Sequence, residues 1–153
     1  MNRENDTQTI LEEISFSLLE NGITIRAKAD GYSMYPFIKP GSVILMEPVT
    51  PETTFLPGEI VAWKRDSGFV LHRLVRIINE GDEVLYVTRG DSCPEEDTPL
   101  IRARIAGKVL AIEDANGKIR EGSQLISKPW YFYNRLKIWI MARAKRIARS
   151  ISQ

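Results

Sequence analysis

The sequence predicts a mainly β fold: a small coiled or closed β-sheet with an amphipathic helix before it and a basic helix after it. Three observations predict this. Hydrophobic residues alternate with period two from Ile23 onward, and short apolar segments recur between Gly- and Pro-rich joints. At both ends of the 153-residue chain the period reverts to that of a helix.

Residues 7–21 read as the first helix. Ile10, Leu11, Ile14 and Leu18 supply an apolar stripe, Thr9 and Glu12 a capping box, and Gly22 the stop. Ile23 to Lys28 then alternates apolar with polar, as a half-buried strand does. Further strands are expected at Ser42–Glu47, Glu59–Lys64, Phe69–Ile78, Val84–Thr88 and Ile105–Glu113. They are punctuated by Lys39-Pro40-Gly41, Leu56-Pro57-Gly58, Asp66-Ser67-Gly68 and Asn79-Glu80-Gly81-Asp82. The last joint reads as the turn of a hairpin. Short strands with little helix between them favour a coiled or closed all-β unit over a parallel sheet. After Pro129, Phe132, Leu136, Trp139, Ile140, Ala144, Ile147 and Ile151 again fall on one helical stripe. The expected division is therefore a β domain over 1–128 and a basic helix over 129–153.

Charge separates the same two parts. The chain carries a net +1, but residues 1–128 sum to −5, and residues 129–153 hold six basic side chains and no acid. That balance gives no global field for nucleic acid. One cysteine, Cys93, excludes an internal disulfide, and one histidine beside it argues against a structural zinc site, so no cofactor or metal is expected. The polar start, Met1 to Gln8, has no signal-peptide pattern, and no run of about 18 apolar residues reads as a membrane span. A cytoplasmic location is expected from this.

Three segments carry groups that suit acyl-transfer chemistry. Ser33 follows a strand and Gly31 and is held by a turn containing Pro36, a setting that can display a nucleophilic hydroxyl next to backbone N–H groups. His72, the sole histidine, lies in mid-strand and shares a face with Val70 and Leu74 while Arg73 faces the other way. An imidazole titrating near 6.5 is the natural base for a serine. Thr88-Arg89-Gly90-Asp91 through Glu96-Asp97 offers Asp91 or Asp97 as the carboxylate that would orient the imidazole. Each segment alone also reads as ordinary structure: a loop serine, a packed strand histidine, a solvated acidic loop. Met34 and Pro36 read equally as packing beneath the turn.

The ordered set is more specific than its parts. Gly31-x-Ser33-Met34-x-Pro36, Gly58-Glu59-Ile60-Val61, His72-Arg73, Thr88-Arg89-Gly90-Asp91 and Ile105-x-Gly107-Lys108-Val109 resemble, in that order, the boxes of the type I signal peptidases, relatives of the LexA-type self-cleaving peptidases. The boxes span about residues 27–113. The resemblance implies a serine peptidase fold with Ser33 as nucleophile and His72 as base. Histidine there, where most bacterial members have lysine, is similar to the endoplasmic-reticulum, archaeal and sporulation-type subgroup. That subgroup implies carboxylate roles for Asp91 and Asp97, with Asp97 favoured on the imidazole and Asp91 as an organiser of the loop. The chain departs from the family at Ser42, where Asp is usual, at Glu96, and at Gly31, where many members place a serine that helps hold the oxyanion. The family's N-terminal membrane span has no counterpart in these residues.

The expected function is a serine endopeptidase of signal-peptidase type, cleaving an extended peptide or preprotein. The alternative is an inactive relative that binds peptides. A DNA-binding repressor is disfavoured because the region before Ile23 holds one helix, too little for a helix-turn-helix unit. Three readings stand for the tail: an interfacial element on an anionic membrane using Trp130, Tyr131, Phe132, Tyr133 and Trp139, a helix docked on its own domain, or a binder of an acidic partner or nucleic acid.

Overall fold

In a computed structural model, which describes residues 3–65, 69–126, 135–141 and 143–144, the chain is mainly β. A first helix, α1 (Arg3–Glu20), precedes eight strands: β1 (Ile25–Lys28), β2 (Val43–Pro48), β3 (Ile60–Lys64), β4 (Phe69–Glu80), β5 (Glu83–Arg89), β6 (Leu100–Ile101), β7 (Ile105–Glu113) and β8 (Ile119–Glu121). All pairings are antiparallel. The strand path is β1-β2-β7-β3-β4-β5-β6, with β8 added beside β7, so the sheet is open: β1 and β6 end it without pairing to each other.

The sheet is covered on both faces. Ile60 and Ala62 of β3 enter one cluster with Ile44, Met46, Ile112 and the helix residues Phe16 and Leu19. Val61 and Trp63 enter a second cluster with Leu74, Tyr86, Leu100 and Ile105. Double-sided burial explains why β3 reads as a continuous apolar run instead of an alternation. β4 and β5 form the expected hairpin through the two-residue turn Gly81-Asp82, with Gly81 at φ +61°. The two strands not anticipated, β6 and β8, are two and three residues long, too short to show a period.

α1 corrects the sequence reading. It spans Arg3–Glu20, so positions 9 and 12 lie inside the helix and not at its start. The expected stripe does not face the core either: Ile10, Ile14 and Leu18 are exposed, while Phe16 and Leu19 are buried. The reason lies in the sheet. Leu19 settles onto Gly107 of β7, where a built Cβ would come within 2.9 Å of Leu19 Cδ1. The helix turns Leu19 to that gap, with Phe16 buried in the same cluster. The expected stop holds: Gly22 at φ +80° donates to Leu19 O, and Ile23 N–H donates to Leu18 O, a Schellman ending.

One buried interaction ties several segments together. Arg73 of β4 and Asp91 are 4% and 0% exposed, and the guanidinium grips the carboxylate with two hydrogen bonds of 2.8 and 2.7 Å. The remaining terminal nitrogen of Arg73 donates to Gly58 O and Leu125 O, each at 2.7 Å. Its face lies 4.6 Å from the Phe37 ring, which Arg120 covers at 4.5 Å. Arg73 thus joins the β3 approach, the end of the sheet body, the turn after Ser33 and the loop after β5.

Removing one partner leaves the other as an uncompensated buried charge. Arg73→Met and Asp91→Leu alone should each lower unfolding free energy by about 3–5 kcal/mol, and the pair together by clearly less than the sum. Urea unfolding of the three variants measures this, and additive losses would show that the pair does not act as a unit.

Candidate active site

Ser33 follows β1 in a turn that the core holds from below. Met34, Phe37 and Ile38 are buried at 4%, 6% and 2% exposure, Ile38 N–H bonds to Met34 O, and the Tyr35–Pro36 peptide is cis. Met34 therefore packs into the core, whereas Tyr32 and Tyr35 stand exposed beside the half-buried Ser33. The loop after β5 clasps this turn: Ser92 N–H donates to Ser33 O at 2.8 Å, and the Ser92 hydroxyl donates to Tyr32 O at 2.8 Å and Ser33 O at 3.0 Å. Ser92 is a positioning residue that sequence reasoning passed over. A serine in an acidic loop carries no local signal of a contact 59 residues away.

His72 sits opposite Val61 in β4, 4% exposed, on the face of the second apolar cluster with Trp63 edge-on at 6.3 Å. Its Nδ1 is 2.6 Å from Asp97 Oδ2, and Thr88 donates its hydroxyl to the same oxygen at 2.7 Å. Asp97 N–H bonds to Thr88 O at 2.8 Å, fixing the backbone that carries the carboxylate. Asp97 is thus the carboxylate on the imidazole. Asp91, also proposed from sequence, is turned to Arg73 and does not meet His72. The two neighbours in β4, facing opposite sides, each hold one aspartate of the same loop.

The other side of the imidazole carries the surprise. A Cβ built on Gly90 would lie 2.6 Å from Cys93 Sγ, 2.7 Å from Ser33 O and 3.0 Å from His72 Nε2, so these three atoms converge over the bare Cα of Gly90. Cys93 N–H bonds back to Gly90 O at 3.0 Å, which turns the thiol inward. Among the described residues no hydrogen bond joins the Ser33 hydroxyl to His72, and it is the Cys93 thiol that lies on the Nε2 side of the imidazole.

These contacts set the charges. Burial opposes protonation of His72, but the hydrogen bonds of Asp97 and Cys93 and their negative charge outweigh it and raise its pKa to about 9. The hydrogen bond with His72 lowers the Cys93 thiol below its usual range. Burial pushes Asp97 up, yet His72, Thr88 and the Arg65 guanidinium 4.0 Å away hold it below the usual carboxylate range. The resting imidazole is therefore charged at neutral pH. Arg89 and Arg76 reach Glu96 at 3.6 and 2.8 Å, which steadies the loop from outside.

With this geometry in view, the chain can be set beside known proteins. No family model matches it. It is 32% identical over 78 residues to signal peptidase I W of Bacillus subtilis (strain 168), a stretch that is 50% of this chain and 40% of that protein. The relationship is signal peptidase-like. The chain spans well under half the length of that relative, and its subgroup is not distinguished.

Among the described residues no three His, Cys, Asp or Glu side chains are grouped as a metal site, and no helix is long and apolar enough to cross a membrane.

Gly90 should be the least replaceable glycine near the site. A methyl there meets the Ser33 carbonyl, whose position the backbone fixes, whereas at Gly31 a Cβ meets nothing within 4 Å. Gly90→Ala should cost about 1–3 kcal/mol and Gly31→Ala at most a few tenths. Thermal unfolding of the two variants side by side measures the contrast.

Proposed function

We propose that this chain is a serine endopeptidase of signal-peptidase type, cleaving an extended peptide or preprotein by acyl transfer. The observation that carries the reading is the buried imidazole, held by Asp97 on one nitrogen, with the other nitrogen and the Ser33 carbonyl both close above Gly90.

The residues take the following roles. His72 in its neutral form accepts the Ser33 proton as the hydroxyl attacks the scissile carbonyl, then gives that proton to the leaving amine. Water repeats the sequence on the acyl-enzyme. Asp97 keeps Nδ1 protonated and stabilises the imidazolium. Backbone N–H groups, including that of Ser33, bind the oxyanion, since Gly31 has no side-chain donor to offer. The substrate strand pairs with β1, whose outer edge is open in the sheet and which runs directly into the Ser33 turn. Apo sites commonly hold catalytic hydrogen bonds long, so the Ser33 to His72 bond forms in the substrate complex.

The reading extends to the tail. Leu136, Trp139, Ile140 and Met141 are exposed, with Arg143 over the Trp139 ring at 5.2 Å. This apolar and basic surface suits peripheral attachment to an anionic leaflet on the cytoplasmic side, weakened by salt. Vesicle co-sedimentation with and without residues 129–153 reads it out, and no binding at low salt would remove this part of the reading. The other tail residues named from sequence, from Trp130 to Tyr133 and from Lys145 to Ile151, lie outside the described residues, as does the 128/129 boundary. A peptide-binding module without catalysis is the second reading, favoured by the thiol's place on the imidazole.

Cleavage of preprotein-like peptides, mapped by mass spectrometry, separates the two. Ser33→Ala should abolish cuts and change stability by less than about 1 kcal/mol. Asp97→Asn should lower turnover by orders of magnitude with little change in KM. Because a charged imidazole cannot accept a proton, activity should rise with pH toward about 9, above the ordinary imidazole range near 6.5. Equal cutting by the Ser33→Ala variant would leave the binding module as the better account.

A further inference from the structure

Cys93 is the chemically unassigned member of the cluster around His72. The thiol is partly exposed, so reagents can reach it, while the imidazole it engages is 4% exposed and its Nδ1 is taken by Asp97. The thiol and the imidazole thus stand together beside the Ser33 backbone carbonyl. Ser33 O, Cys93 Sγ and His72 Nε2 all crowd the same point above Gly90, and that space leaves no room for an added heavy atom without displacement. The charged groups around the thiol are His72 from β4, Asp97 from its own loop, Arg65 beside Asp97, and Arg135 from the C-terminal helical segment. Arg135 donates to Cys93 O and Pro94 O, which holds the loop backbone and leaves the thiol free to react.

We propose that Cys93 is a covalent modification site for peroxides and soft electrophiles, and that its modification withdraws His72 from Ser33. With peroxide, the Cys93 thiolate attacks one oxygen. An S–O bond forms, the O–O bond breaks, and the leaving hydroxide takes a proton from the His72 imidazolium and departs as water. Cys93 is oxidised by two electrons to a sulfenic acid and the peroxide is reduced. The added oxygen has to displace its neighbours above Gly90, which moves the imidazole or the Ser33 turn out of the arrangement that acyl transfer needs. A thiol reductant restores the thiol and the site. The nucleophilicity of the thiol comes from His72, which lowers its pKa and places a positive charge beside the thiolate. The blocking half of this inference rests on the peptidase reading; the reactivity half does not.

The test uses the full chain, whose single cysteine makes every readout unambiguous. Ultraviolet absorbance of the thiolate should titrate below the ordinary thiol value near 8.5. Iodoacetamide labelling at pH 6, followed by intact mass, should run at least tenfold faster than in His72→Gln, with Ser33→Ala unchanged. The absorbance titration needs no substitution, so it decides the matter even if His72→Gln fails to fold. A midpoint at or above 8.5, or equal labelling with and without His72, would overturn the proposal. For the blocking half, a fluorophosphonate should label Ser33 in untreated chain and in Cys93→Ala. Labelling should be lost after one equivalent of hydrogen peroxide in the wild type only, and be regained with dithiothreitol. Unchanged labelling after sulfenic acid has formed would overturn that half. Absence of Ser33 labelling in every sample would instead count against the peptidase reading, while the thiol titration still decides the rest.

Discussion

Arg73 and Asp91 form a charge pair buried between the Ser33 turn, the β3 approach and the loop that carries Asp97, and the site is assembled around it. Its geometry satisfies the demanding condition for such a pair: both carboxylate oxygens are gripped, and Gly58 and Leu125 carbonyls take the remaining donors named here. A buried pair of this kind contributes little net stability relative to apolar residues, but it penalises any arrangement in which a partner is missing. That penalty fixes the loop backbone at Asp91. Six residues on, Asp97 then arrives on His72 because Thr88 receives its N–H and bonds its carboxylate.

The alternation of β4 translates this frame into chemistry. Successive residues of a strand face opposite sides, so Arg73 is committed to the structural side and His72 to the reactive one. A one-residue slip of β4 would exchange an imidazole for a guanidinium at the candidate site. Pairing with β3 on one side and β5 on the other resists that slip: His72 lies opposite Val61, and Leu74 opposite Thr88. The glycines complete the approach. Gly107 admits Leu19 of the helix to the sheet, and Gly90 admits the Ser33 carbonyl to the imidazole.

Much of this is legible in the sequence. Period-two patterning located the longer strands, and the Gly81 turn announced the hairpin, because both signals are local. The stripe of α1 was misread because Ile10, Ile14 and Leu18 satisfy helical spacing, whereas the choice of buried face depends on a gap at Gly107 in a strand far along the chain. Likewise, Ser33, His72 and the two aspartates stood out by type and order, but nothing local could divide the aspartates between Arg73 and His72. Cys93 was counted only as an unpaired cysteine. Its position against the imidazole follows from the turn Gly90–Cys93 folding under the Ser33 carbonyl, a tertiary contact with no sequence signature.

The electrostatic consequence reaches beyond the thiol. An imidazole flanked by a carboxylate and an acidic thiol retains its proton at neutral pH, so the resting site is an ion pair and must give up that proton before it can serve a serine. Because His72 is the sole histidine, one measurement addresses the whole arrangement: nitrogen-15 NMR of the imidazole as a function of pH, with Asp97→Asn beside the wild type. The account predicts a midpoint near 9 in the wild type and a marked fall in Asp97→Asn. A midpoint near the ordinary 6.5 in both chains would contradict it.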